Sequence, residues 1–195
     1  MPFRAQAGAH AESREHLVFG PTLEGLFIRG LGPKVDESLK SRLAALGLDL
    51  RKPLLPAYPR AVVNACINET ASTLYPTLSA PDAWYQVGKH VTVGIGNTLM
   101  GSAVLSLVRL VGPKKSVQRM PRTFSGTNNY MQVTLRELGP SRYELDLTPS
   151  NEQPSYMQAV IEDILNHAGA RDLRVTIVAH DLHTQKATYG ITWAA

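Results

Sequence analysis

The residues with the most chemical potential lie in one short stretch that leads into a predicted strand. Arg119, Arg122, Asn128, Asn129 and Tyr130 bring two guanidinium groups, two amides and a phenol close together in the sequence. Guanidinium forks and amide N–H groups can bind the oxygens of a carboxylate or a phosphate. Two consecutive asparagines ahead of a strand are also common in turns, because Asn tolerates the left-handed backbone conformation. The pattern favours the structural interpretation and leaves an anion-binding role open.

Patterns for a metal site or a nucleophile are incomplete. His180 and His183 flank Asp181 in what we predict to be a hairpin turn, and no third His or Cys has convincing ligand spacing. Cys66 lies in a helical apolar pattern, where a thiol is usually buried. The Gly-x-Ser-x-Gly motif, which would mark an exposed serine nucleophile, is missing from the sequence. The sequence therefore predicts no metal site and no catalytic group, and we expect a protein that is not an enzyme.

A glycine-rich apolar segment carries the second set of candidates. Ser79 is a typical helix cap at its start, and four glycines interrupt it at a cost of about 1 kcal/mol each relative to Ala. Either the helix breaks near Gly94, or a ligand or another backbone lies against that face. The sequence from Gly94 lacks the third glycine, the preceding strand and the later acidic residue of a dinucleotide-binding loop. The apolar stripe consists of Trp84, Val87, Val91, Ile95, Leu99, Ala103 and Leu107; His90 beside it is either a core residue or a polar group of a pocket.

Helices are also predicted on both sides of this segment. Capping and leucine spacing indicate one helix from Asp36 to Gly47, and a proline suited to the first turn begins another that runs from Pro59 to about Leu74. A short basic helix from Lys114 to Met120 is expected to end before Pro121. Residues 17–31 contain too many glycines for an assignment.

The last third of the chain has the order strand, strand, helix, strand, strand. Apolar and polar residues alternate in the four strands, and the helix has one apolar face. The fold class is therefore α/β (α+β), with a helical N-terminal half packed on a small antiparallel sheet. We expect a disordered tail over residues 1–16 and a single domain over 17–195. The predicted elements are strands 130–138 and 143–147, helix 154–168, and strands 173–179 and 187–193.

Composition excludes several classes of function. The net charge is +4, and the basic residues are neither clustered nor interleaved with aromatic residues, so we expect no nucleic-acid partner. The N-terminus lacks the apolar core of a signal peptide. One cysteine cannot form an intramolecular disulfide, which favours a reducing, cytoplasmic location. The most apolar stretch, 90–111, contains small and polar residues throughout, so we expect a buried helix and no membrane span.

Six sequence motifs spread along the chain are distinctive. They are Gly25-Leu-Phe-Ile-Arg-Gly-Leu, Tyr58-Pro-Arg, Leu110-Val-Gly-Pro, Thr127-Asn-Asn-Tyr130, Gly169-Ala-Arg-Asp and Tyr189-Gly-Ile-Thr-Trp193. These motifs resemble an uncharacterised domain family that is expanded in myxobacterial genomes. More distantly, the order of elements is similar to a superfamily that includes heme–nitric-oxide-binding domains, vinyl-reductase-type small-ligand domains and TRAPP-type vesicle-transport subunits. That resemblance implies a hydrophobic pocket between helices and sheet, and frequent dimerisation.

The resemblance raises the question of whether this chain binds heme. Heme-binding members of the superfamily carry an axial histidine on a helix shortly before the strands. The matching region here, Ser106 to Met120, contains Arg109, Lys114 and Lys115 but no histidine. The Tyr-x-Ser-x-Arg clamp for the heme propionates is also missing. We therefore expect no heme and no other cofactor.

These observations lead to two functional hypotheses. In the first, the chain is a non-enzymatic sensory or regulatory domain whose pocket holds a small, apolar or amphipathic ligand. Trp84, Val91 and Leu99 would line the pocket, and a polar group among Arg119, Arg122, Asn128, Asn129, Tyr130 and His90 would hold the polar end of the ligand. In the second, the small residues of the long helix allow two copies to pair as a homodimeric interaction module.

Overall fold

The structure is a computed structural model that describes residues 15–97 and 99–194; the side chains of residues 99–101 lie outside that description. A pair of short antiparallel strands, β1 (Leu17–Phe19) and β2 (Ala57–Pro59), brackets the first helices. The helices between and after these strands are α1 (Gly20–Leu23), a π-helical segment (Glu24–Gly30), a 3₁₀ turn (Gly32–Lys34), α2 (Glu37–Ala45) and α3 (Arg60–Leu74).

The predicted glycine-rich helix is divided into three pieces, α4 (Ala80–Gly88), α5 (His90–Gly96) and α6 (Leu99–Ser125). Both expectations for the glycines are met, since the helix breaks and a backbone also lies against it: Gly94 packs on the π-helical segment. Gly112 is non-helical, with φ 77° and ψ 174°, so it kinks α6 between an apolar first half and a second half that packs in the core.

The end predicted at Pro121 is wrong, because α6 continues to Ser125. A proline inside a helix removes one backbone hydrogen bond and costs about 3 kcal/mol. Val117, Met120 and Phe124 recur at helical spacing in this half of α6, and all three are buried. Each buried side chain of this size contributes about 1.5–3 kcal/mol, so their combined burial offsets the cost of the proline.

The C-terminal third confirms the predicted order and the antiparallel sheet. The elements are β3 (Gln132–Gly139), β4 (Arg142–Thr148), α7 (Ser155–His167), β5 (Arg171–Asp181) and β6 (Lys186–Ala194). In the sheet the strands are arranged β3-β4-β6-β5, and each neighbouring pair is antiparallel. The helix α7 packs against α4, α6 and β5, so it joins the helical half to the sheet.

Residues 1–14 of the predicted disordered tail lie outside the described residues. The last two residues of the predicted tail, Glu15 and His16, contact the rest of the chain. The carbonyl oxygen of Glu15 accepts a hydrogen bond from Asn129 Nδ2 at 3.0 Å. The ring of His16 stacks on Tyr130 with 4.8 Å between centroids. These contacts hold the start of β1 against the segment that enters β3.

Candidate functional site

A cavity of about 130 Å³ lies among the helices of the N-terminal half and α7. We call it the inner cavity. Its wall is made mainly of aliphatic and aromatic side chains from α1, α3, α5, the end of α6 and α7. No charged residue lines it within the described part of the chain. The main apolar residues of the wall are Val18, Leu23, Leu26, Val63, Ile67, Val91, Ile95, Phe124, Met157, Val160 and Ile164.

Four polar side chains face the inner cavity at one end. Tyr156 and Asn151 are each 8% exposed, and Tyr130 and Asn64 are partly buried. Within residues 15–97 and 99–194, the side-chain polar atoms of these four residues make no hydrogen bond. Burial raises the pKa of Tyr156 and of Tyr130, so both phenols stay protonated and can donate a hydrogen bond. Buried polar groups normally have hydrogen-bond partners, so these side chains can bind a polar group of another molecule at this end of the cavity.

A second cavity of about 200 Å³ adjoins the first, and we call it the distal cavity. The two cavities share three lining residues, Ile95, Thr123 and Ile164. The distal cavity lies under the first half of α6, whose Leu105, Val108 and Val111 contribute to its wall. Two adjacent apolar spaces with common walls can therefore hold one elongated molecule.

The first half of α6 covers the distal cavity, but the expectation of a buried helix over residues 90–111 is wrong for it, because no other described element covers its outer side. Leu110 is 83% exposed, and Val104 and Leu107, which line the distal cavity, are still about half exposed. The positive φ of Gly112 marks the point where this half departs from the rest of α6. Exposed apolar patches of this kind mark interaction surfaces more often than scattered single residues do.

An open groove of about 510 Å³ lies outside the polar end of the inner cavity, and we call it the outer groove. Asn64 lines both the groove and the inner cavity. Arg60 in the groove donates to Gln185 Oε1 at 2.9 Å and to the carbonyl oxygen of Ser150, and its guanidinium carbon lies 5.5 Å from the centre of the Tyr130 ring. The arginine therefore ties the turn before β6 and the loop before α7 to α3, while its buried Nε has no hydrogen-bond partner among the described residues.

Three of the candidates from the sequence line the inner cavity, namely Val91, Asn128 and Tyr130. Asn128 is 5% exposed, and its Oδ1 accepts hydrogen bonds from the backbone N–H groups of Tyr130 (3.1 Å) and Met131 (2.7 Å). Asn129 Oδ1 accepts from the N–H of Leu17 at 2.8 Å. The side-chain amides of both asparagines thus form hydrogen bonds with backbone groups, as the turn interpretation predicts.

The two arginines do not meet at one place. Arg119 lines the distal cavity, whereas Arg122 is exposed and lines neither cavity. Leu99 begins α6, but its side chain lies outside the described residues. The structure therefore brings one of the predicted cationic groups, Arg119, to a cavity wall.

Trp84 and His90 are core contacts outside both cavity walls. Trp84 is buried, and its indole N–H donates to Asn68 Oδ1 at 3.2 Å. His90 lies 3.2 Å from each of three partners, with Nδ1 facing the Gly30 carbonyl and Nε2 facing Tyr75 Oη and Lys34 Nζ. Burial and the nearby Lys34 lower the pKa of His90. The ring is a satisfied histidine that links α5 to the π-helical segment.

Sequence reasoning missed Asn64, Asn151 and Tyr156. Each falls in a pattern with an ordinary explanation: Asn64 is a polar position in a helix, Asn151 is in a loop, and Tyr156 is on the apolar face of α7. The one available signal was Tyr156, since a phenol on an apolar helix face needs a hydrogen-bond partner. The sequence alone does not show whether that partner comes from the protein.

The groups considered for catalysis or metal binding are placed apart. Residues 182–185 form a turn in which Asp181 Oδ1 accepts from the His183 N–H at 2.8 Å, which confirms the predicted hairpin turn. Cys66 is buried in α3, and burial raises the pKa of its thiol to about 12. Across residues 15–97 and 99–194, no group of three or more His, Cys, Asp or Glu side chains is placed to hold a metal ion. In the same residues, no helix is both long and apolar enough to cross a membrane.

Residues 16–194 match the family described as "Protein of unknown function (DUF2378)". This match confirms the resemblance to an uncharacterised domain family. A search of curated protein sequences found no match.

Solved structures of H-NOX proteins share the fold of this chain. A mutant of the Fe(II) unliganded H-NOX protein from K. algicida superposes with a TM-score of 0.64 and 9% identity, over 88% of this chain and 96% of that chain. An oxygen-binding H-NOX domain related to soluble guanylate cyclases superposes with a TM-score of 0.58 and 11% identity, over 90% and 93%. A mutant of T. tengcongensis H-NOX gives 0.55 and 12%, over 89% and 92%. At these identities the likeness establishes the fold.

Proposed function

For this chain, which belongs to the DUF2378 family, we propose the function of a non-enzymatic sensory or regulatory domain that binds a small, partly apolar ligand in the inner cavity. The observation that carries this proposal is a pair of phenols and a pair of amides that have no hydrogen-bond partner among the described residues and face a mainly apolar space without charged residues in that part of the chain. Small-molecule sites have this composition, with apolar walls and a few placed polar groups. The shared fold with H-NOX proteins, including an oxygen-binding domain, supports the same class of function.

The lining favours a ligand other than heme. Proteins hold heme iron through His, Cys, Met or Tyr. None of the described histidines, and not Cys66, lines the inner or the distal cavity. Met131, Met157 and Met120 do line them, but methionine binds heme iron together with a histidine, which these walls lack among the described residues. Tyr130 and Tyr156 face the inner cavity, but burial raises the pKa of both phenols and so opposes the phenolate that would bind iron. The inner cavity, at about 130 Å³, is also smaller than the roughly 300 Å³ at which pockets for drug-sized molecules begin. These residues do not fit the cofactor.

Native mass spectrometry of the purified protein, with an absorbance spectrum of the same sample, tests the proposal. We expect a mass excess that disappears on denaturation, and no Soret band. Two valines of α5 provide matched variants: Val91 lines the inner cavity, whereas Val93 is 47% exposed. Val91→Phe fills the cavity and should remove the bound mass, while Val93→Phe should keep it. Retention of the same bound mass by both variants would place the ligand elsewhere.

A homodimeric interaction module is the second candidate, and the exposed apolar face of α6 favours it. Leu107 and Leu110 of α6, with Val93 of α5, expose apolar surface that a second copy could cover. Light scattering at tens of micromolar distinguishes the candidates. A dimer that Leu110→Asp converts to a monomer, in a protein with no bound mass, supports the module; a monomer at that concentration removes it.

A further inference from the structure

The two cavities adjoin, and we call the space that they form along α5, α6 and α7 the path. From the polar end, the path follows α5 from Val91 to Ile95 and α7 from Tyr156 to Ile164. An α-helix rises 1.5 Å per residue, so the segment of α7 between Tyr156 and Ile164 is about 12 Å long. The distal cavity then continues beyond Ile164 toward Ser116 of α6. A molecule that fills the whole path must therefore be long and narrow.

Polarity falls along this path. The polar end has Tyr156, Asn151 and Asn64 without side-chain hydrogen bonds in the described part of the chain. The hydroxyls of the distal cavity already have partners: Ser116 Oγ donates to the Gly112 carbonyl at 2.8 Å, and Thr92 Oγ1 donates to Asp163. The remaining distal wall is aliphatic or made of Met120, apart from Arg119, which is exposed. The path thus has an uncharged end with free hydrogen-bonding groups and a mainly apolar end with one exposed arginine at its wall.

Charge at the polar end disfavours an anion. No charged residue lines the inner cavity among the described residues, so a carboxylate there would lose its hydration without gaining a counterion. The outer groove beyond it contains Glu15 and Glu152 as well as Arg60, whose guanidinium already bonds to Gln185 and Ser150. The one unpaired charged donor of this region among the described residues, Arg60 Nε, belongs to the groove, whereas the unpaired groups that line the inner cavity itself are neutral.

We propose that the ligand is a single-chain amphiphile with an uncharged hydroxyl, carbonyl or amide head. The head bonds to Tyr156, Asn151 and Asn64 in the inner cavity. The hydrocarbon chain passes Ile95, Thr123 and Ile164 into the distal cavity. This inference rests on the proposed ligand-binding function and specifies the class of ligand.

Straight-chain alcohols of increasing length are suitable probes. Titration calorimetry of the full chain with hexanol, octanol, decanol and dodecanol should show affinity rising about three- to fourfold for each added methylene group, since each one buries further apolar surface. The carboxylates of matching length should bind at least about tenfold more weakly, because their charge would be buried unpaired. Carboxylates that bind as tightly as the alcohols would overturn the assignment of the head and would point to Arg119 as a partner.

The junction between the cavities tests the path of the chain. Thr123 lines both cavities, whereas Ser125, two residues later on α6, lines neither. Both side chains are exposed, and each hydroxyl bonds to a carbonyl of the preceding turn. Thr123→Phe should stop the gain in affinity from hexanol to the longer alcohols. Ser125→Phe should behave as the wild type. A normal gain with chain length in Thr123→Phe would exclude a chain that passes this point.

Removing the hydroxyl of Tyr156 tests where the head of the ligand binds. Tyr156→Phe keeps the ring in place and should weaken binding of every alcohol about two- to tenfold, which is the usual effect of losing one neutral hydrogen bond. Tyr85 lies outside both cavities and bonds to Glu162, so Tyr85→Phe is the control. If no alcohol binds while the native protein carries a bound mass, this inference fails and the proposed function stands. If no mass is bound either, both fail.

Discussion

A methyl group on Gly94 would lie 1.8 Å from the carbonyl oxygen of Gly25. It would also lie 3.0 Å from the backbone nitrogen of Gly30. The backbones of α5 and the π-helical segment are thus in direct contact, and only hydrogen fits between them. Since Val91 and Ile95 of α5 line the inner cavity, this contact sets the position of one of its walls.

Gly94→Ala is therefore expected to lower the free energy of unfolding by about 3 kcal/mol, because overpacking a backbone contact forces the two elements apart. Chemical denaturation measures the change. Gly25→Ala is the matched control: nothing lies within 4 Å of a methyl group there, so the variant should be about 0.5 kcal/mol more stable. Equal stability of the two variants would contradict the close contact.

The glycines of α4, α5 and α6 show what could be predicted about the fold from the sequence. Their cost in a helix predicted a break or a close backbone neighbour, and the structure has both. The π-helical segment that supplies the neighbour could not be predicted, because its own glycines obscure the helical period. The helix end predicted at Pro121 was wrong because the burial of Met120 and Phe124 outweighs the local cost of a proline in a helix.

The candidate site was less predictable than the fold. Val91 and Tyr130 were identified because they lie on an apolar stripe or beside a strand, and such patterns also describe ordinary core residues. Tyr156 has the same pattern as its neighbours on α7. Tyr156 differs from them because its hydroxyl faces a cavity and has no hydrogen-bond partner among the described residues. That arrangement depends on how five separate elements pack.

Asn128→Ala is expected to destabilise the fold by about 2 kcal/mol, because it leaves two partly buried backbone N–H groups, those of Tyr130 and Met131, without an acceptor. Thermal unfolding and alcohol titration of the same samples measure stability and binding separately. Asn129→Ala should cost less, since that side chain is exposed and water can replace its bonds. A loss of binding with unchanged stability in Asn128→Ala would instead assign this amide to the ligand.

Cys66 is expected to react slowly with a thiol reagent in the folded protein. Burial raises the pKa of its thiol from 9.0 to about 12, which lowers the thiolate fraction about a thousandfold near neutral pH. The rate of iodoacetamide modification, followed by mass spectrometry in buffer and in denaturant, tests this. Because the chain has one cysteine, the signal has one source. Modification in buffer within tenfold of the rate in denaturant would mean that the α3 core opens readily.

The stability of the protein should fall as the pH is lowered through the ordinary pKa of histidine, 6.5, because of His90. Burial, together with Lys34, lowers the pKa of this ring in the folded state, so the unfolded chain takes up a proton more readily than the folded one. The ring is then neutral when folded, with Nδ1–H donating to the Gly30 carbonyl and Nε2 accepting from Tyr75. The stabilisation is fully present above pH 6.5 and is progressively lost below it, toward the lowered pKa of the folded state.

His90→Gln keeps a polar side chain but removes the titrating group, so its stability should depend less on pH than that of the wild type. Denaturant midpoints at several values between about pH 7.5 and pH 5 measure the difference. His183→Gln, in the exposed hairpin turn, should leave the wild-type dependence in place. Parallel curves for the wild type and His90→Gln would show that the ring is not held neutral. Because His90 joins α5 to the π-helical segment, the acid-induced loss should first loosen the wall of the inner cavity, and alcohol binding should weaken over the same pH range.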